Sequence, residues 1–143
     1  MYLDSVNIGD AASETGHNIS VGAEGTGWSN AWLSPDGWGG VYGGGSSDGS
    51  FRLLMGRGDD CSEGYEDASF ILDTGTNYAN QITLEHLDGS VNDSFDIYIN
   101  NSKVGHYEAD ASTNENWGSL TFYFPPFMGL TTVKLVTTNP DVS

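Results

Sequence analysis

The stretch that decides the fold runs from Leu84 to Tyr107, LEHLDGSVNDSFDIYINNSKVGHY. Its centre alternates strictly: Phe95, Ile97 and Ile99 fall on one face, Asp96, Tyr98 and Asn100 on the other. A period of two over this length predicts a half-buried antiparallel strand. Asn100-Asn101-Ser102 follows, and asparagine tolerates the backbone of a tight turn, so a second strand through Val104 and Tyr107 completes a β-hairpin. Upstream, Gln81 to Leu87 has strand character, and the acidic, glycine-containing loop Asp88-Gly89-Ser90-Val91-Asn92-Asp93 joins it to the hairpin.

Working outward, Ala68 to Leu72 reads as a strand stopped by Asp73-Thr74-Gly75. From Trp117, Leu120, Phe122 and Phe124 alternate with Thr121 and Tyr123, and Pro125-Pro126 is expected to end that strand, because proline cannot donate to a ladder. Thr131 to Thr138 is the last strand, with Val133, Leu135 and Val136 as inward candidates. In the N-terminal half, Tyr2 to Ile8, His17 to Val21 and Ser50 to Met55 have β character, and Ala11 to Gly16 reads as a small polar connection. Residues 22 to 49 show no period, yet Trp28, Trp32, Trp38 and Tyr42 argue for ordered loops rather than a linker. Eight or nine strands at short spacing, without an amphipathic helix, predict an all-β protein: an antiparallel two-sheet β-sandwich of jelly-roll type. The 143 residues form a single module, expected to be excised from a longer secreted protein.

Charge narrows the function. Twenty acidic residues face four basic ones, Arg52, Arg57, Lys103 and Lys134, for a net charge of −16. Nucleic acid requires clustered cations and is excluded as a partner, and anionic membrane surfaces are disfavoured for the same reason. Two readings of the excess acid stay open. Loop carboxylates collect calcium, or a self-repelling surface keeps a secreted or salt-adapted protein soluble. Cys61 is the one cysteine, so no internal disulfide forms, and its neighbours Asp59, Asp60 and Glu63 do not activate a thiolate. No run of about 20 apolar residues is present, which argues against membrane insertion by a helix.

The run L-x-x-L-D-G-x-x-N-D-S-F-D-I-Y-I-N from Leu84, then V-G-x-Y from Val104 and T-V-K-L-V from Thr132, resembles the C-terminal half of galactose-binding-like jelly-roll modules. The resemblance covers roughly the last 60 residues, with looser matches at Ser13-Glu14 and Trp38-Gly39-Gly40. It implies a non-catalytic carbohydrate-binding module of a secreted or surface protein. It also implies a structural calcium near the first strands, which makes Glu14 a candidate ligand, with Asp10 and Asp141 as alternatives.

From the residues themselves, Asp88, Asn92, Asp93 and Asp96 are candidate calcium ligands, because short acidic loops supply several oxygens without steric conflict. Turn chemistry explains Asp88-Gly89 equally well. Trp28, Trp32, Trp38, Tyr42 and Trp117 are candidate sugar-stacking rings, each with core packing as the competing role. Tyr98 faces outward and is a candidate sheet-face platform. Arg57, like Arg52, suits a carboxylated or sulfated sugar, against an internal ion pair as the simpler role. His17, His86 and His106 lack metal-ligand spacing, though His86 and His106 could meet across adjacent strands. No nucleophile elbow, phosphate loop or Cys–His pair occurs, so an enzyme is not expected. The expected partner is a polysaccharide or a glycoprotein glycan. The alternative is a calcium-dependent assembly domain of a surface layer, adhesin or filament that associates with itself.

Overall fold

A computed structural model describes residues 3–8, 10–19, 67–88, 94–108 and 116–138. Among them the chain forms a short helix, α1 (Ala11–Thr15), and six strands. The strands are β1 (Asp67–Asp73), β2 (Ala79–Asp88), β3 (Phe95–Ile99), β4 (Ser102–Tyr107), β5 (Asn116–Phe127) and β6 (Leu130–Thr137). They make two antiparallel sheets, one ordered β1-β6-β3-β4 and one pairing β2 with β5. The protein is all-β in this sense. Val6, Ile8 and Ile19 of the N-terminal segment pack on its core.

The alternation read from the sequence governs the packing. Phe95, Ile97 and Ile99 are buried together with Ala68 and Phe70 of β1 and Val133 and Leu135 of β6. Ile82 of β2 joins them from the second sheet, and Leu84, Leu120, Phe122 and Phe124 pack on the same cluster. The apolar faces of both sheets therefore share one core. Val136 is half-buried beside them but lies out of phase with Val133 and Leu135, on the face that carries Lys134.

The β3–β4 turn is set by asparagine. Asn100 and Asn101 have φ of 49° and 70°, in the left-handed region that asparagine enters more readily than most side chains, and Ile99 pairs directly with Ser102 across them. The Asn100 N–H donates to the Thr132 carbonyl at 2.9 Å, and its side-chain Oδ1 accepts from the Thr132 N–H at 2.9 Å. These two bonds tie the hairpin to β6. At the same end the β1–β2 and β5–β6 connections cross between the sheets and lock together. The Thr74 N–H donates to the Gly129 carbonyl at 3.0 Å, and the Gly129 N–H returns a bond to Thr74 Oγ1 at 2.8 Å. Gly129 sits at φ 96°, where a side chain would strain the backbone.

Three local expectations fail. Pro125-Pro126 does not end its strand, since β5 runs through both prolines to Phe127. The ladder steps from Gln81↔Tyr123 to Ala79↔Phe127, so the prolines occupy an irregularity where no ladder donor is required. Residues 11–15 form a helix rather than an irregular connection, because Asp10 Oδ1 caps it, accepting from the N–H groups of Ala12 at 3.0 Å and Ser13 at 3.5 Å. Residues 3–8 and 17–19 form no strand. Their polar groups turn instead to α1 and to the edge of β1. The expected strand at Ser50 to Met55 lies outside the described residues.

Candidate functional site

Period-2 alternation leaves each sheet one outward face, and the two faces differ in chemistry. On the four-stranded sheet, β3 and its neighbours present Asp96, Tyr98, Lys103, His106 and Lys134. This face is already satisfied by its own side chains. Lys134 Nζ stands 5.4 Å from the centroid of the Tyr98 ring, which is half-buried. Asp96 Oδ1 receives His106 Nδ1 at 2.7 Å and Lys103 Nζ at 3.4 Å. His106 Nε2 meets Glu108 Oε2 at 2.6 Å. Glu108 first, then Asp96, raises His106 above its ordinary value near 6.5, since each ring nitrogen faces a carboxylate and only the charged ring donates to both.

The outward face of the β2–β5 sheet is different. Its register sets Gln81 against Tyr123, Thr83 against Thr121 and Glu85 against Ser119. Thr83 and Thr121 share a hydrogen bond between their Oγ1 atoms at 3.1 Å. Tyr123 is 67 % exposed in the middle of a strand, on the face opposite the half-buried Phe122 and Phe124. Among the described residues this face carries no lysine or arginine, and Glu85 is its one charged group below position 86. The result is an open phenol ring opposite an amide, with hydroxyls and a carboxylate further along the strands.

The candidates named from the sequence divide as follows. Trp28, Trp32, Trp38, Tyr42, Arg52, Arg57, Asp59, Asp60, Cys61, Glu63, Asn92, Asp93 and Asp141 lie outside the described residues. Trp117 pairs with Leu87 in the ladder, in phase with Ser119, Thr121 and Tyr123. Asp88 pairs with Asn116, where β2 ends and β5 begins. Glu14 is buried in α1, at 4 % exposure. Asp10 is that helix's cap, which accounts for one of its oxygens. Asp96 stands on the sheet face away from the core, its Oδ1 held by His106 and Lys103. Among the described residues no three His, Cys, Asp or Glu side chains form a metal-binding group. His86 and His106 do not lie on adjacent strands, since β2 and β4 belong to different sheets.

Sequence reasoning passed over Tyr123 as a site residue. The signal was present in its phase, because a tyrosine in step with Thr121 and out of step with Phe122 and Phe124 must face away from the core. Comparison with protein-family models, with curated proteins and with solved structures returned no match.

Proposed function

We propose that this chain is a non-catalytic glycan-binding module, a jelly-roll sandwich of a secreted or cell-surface protein. The observation that carries the reading is the exposed Tyr123 ring on the β2–β5 face, flanked by Gln81, Thr83, Thr121 and Ser119. A phenol ring stacks on the apolar face of a pyranose, while amide and hydroxyl groups meet the sugar hydroxyls. A strand face offers these groups at a fixed repeat of about 3.3 Å per residue, so position 117 stands roughly 20 Å from Tyr123. That span suits a chain of several sugars. With no lysine or arginine among its described residues, the face favours neutral glycans over uronic or sulfated ones. Calcium is proposed as a structural ion held by loop carboxylates, with Glu14, Asp88, Asn92, Asp93 and Asp96 as candidates. A glycan array probed with the whole chain in millimolar calcium tests the reading: signal on neutral polysaccharides supports it, and a blank array sinks it.

A second reading, a calcium-dependent assembly domain, draws on the tip where the sheets connect. Tyr78, Met128 and Leu130 are 67 %, 49 % and 72 % exposed at the β1–β2 and β5–β6 connections. Exposed apolar groups gathered at one end favour contact with another protein. A mass that rises with concentration in sedimentation would favour this reading over the first.

A further inference from the structure

The β3–β4 hairpin turns through a run of four exposed residues, Asn100-Asn101-Ser102-Lys103. The first three have the form Asn-x-Ser with x other than proline, the acceptor motif for N-linked glycan. The same spacing occurs at Asn18-Ile19-Ser20 and Asn92-Asp93-Ser94, but Ser20 and Asn92 lie outside the described residues, and Ser94 is 1 % exposed. At the hairpin every residue of the motif is described and open.

The way Asn100 is held leaves its side-chain nitrogen over. The Thr132 N–H can only donate, so the atom facing it at 2.9 Å is Oδ1, and Nδ2 is turned away from that bond. Among the described residues Nδ2 has no hydrogen-bond partner. A glycan joins asparagine at Nδ2 and leaves the carbonyl in place. The bond from the Thr132 N–H therefore survives attachment, as does the bond from the Asn100 N–H to the Thr132 carbonyl. The φ of 49° is already set, and the new substituent lies beyond Cγ, so the turn needs no adjustment.

We propose that Asn100 is the attachment site of an N-linked glycan, added as the chain is exported. The proposal rests on the reading of the chain as a secreted or cell-surface protein. The co-reactant is a lipid diphosphate-linked oligosaccharide, supplied with its transferase by the export route. The Nδ2 lone pair forms the bond to the sugar C1. The bond from C1 to the diphosphate oxygen breaks with its electron pair on that oxygen, and Nδ2 gives up one proton. Asn100 stands opposite Thr132, two residues along β6 from Leu130, which is 72 % exposed. A hydrated glycan at this position shields that apolar end. Tyr123 belongs to the other sheet.

Expression of the whole chain behind an export signal in a glycosylating host, with peptide mass mapping of the secreted product, tests this. The peptide holding Asn100 should carry a glycan that peptide N-glycosidase removes, leaving a carboxyl where the carboxamide was. Ser102→Thr should keep the glycan, and Ser102→Ala should lose it. Exchange protection of the Thr132 N–H should be equal with and without the glycan. An unmodified Asn100, with a reference glycoprotein modified by the same cells, would overturn the proposal. So would occupancy confined to Asn18 or Asn92, or Thr132 protection lost on attachment. The outcome is independent of the glycan array: a blank array sinks the glycan-binding reading alone, and a bare Asn100 sinks this one alone.

Discussion

Gly105 of β4 lies against the ring of Phe122 of β5, and this contact joins the two sheets. A Cβ at position 105 would stand 2.8 Å from Phe122 Cε1, nearer still to Cδ1, and 3.4 Å from Ile97 Cγ2. The ring is packed on the core and is not the loose end of a flexible chain. Gly105→Ala is therefore expected to destabilise the fold by about 1–3 kcal/mol, the usual cost of overpacking. Urea denaturation measures it directly, and Phe122→Leu in the same background should recover part of the loss.

Among the described residues Ile97 and Val133 are the most fully buried apolar side chains, each at 0 % exposure, on the neighbouring central strands β3 and β6 of the four-stranded sheet. Ile97→Ala should cost about 2–5 kcal/mol, and Ile97→Val about 0.5–1.5 kcal/mol. The ratio of the two, read from chemical denaturation, checks that this position is the middle of the core.

His106 sits between Asp96 and Glu108, which raise its folded-state value above the ordinary one near 6.5. Stabilisation from this clamp is fully present below about pH 6.5 and is lost as pH rises through the raised value. NMR titration should find His106 above an unstructured histidine, and Asp96→Asn should bring it down. The clamp is exposed, so its removal should barely move the melting temperature.

Calcium should raise the melting temperature relative to EDTA if loop carboxylates hold a structural ion, through the linkage of binding to folding. Equal melting in EDTA and in millimolar calcium would remove the ion from the account.

The hairpin was legible because one physical rule governed it throughout. Alternation set Phe95, Ile97 and Ile99 inward, and the adjacent asparagines Asn100 and Asn101 supplied the turn. The same rule failed at Pro125-Pro126, because a ladder irregularity removes the donor requirement that makes proline a terminator. It failed again before β1, where a single cap, Asp10, makes a helix of Ala11–Thr15, and Asp4 and His17 spend their polar groups on a strand edge more than fifty residues away. Such long-range bonds leave no local pattern. The candidate site divides along the same line. Tyr123 could be placed outward by phase alone, whereas Trp28, Trp32, Trp38 and Tyr42 fall in a stretch of sequence with no period from which to read a face.

Glycan binding by the β2–β5 face is proposed to run through Tyr123. The direct measurement is titration of a soluble neutral polysaccharide into wild type and into Tyr123→Ala by isothermal calorimetry, after circular dichroism shows the same fold in both. Wild type is expected to bind measurably and the variant to lose at least tenfold in affinity, at least about 1.4 kcal/mol. Equal affinity in the two proteins would contradict it.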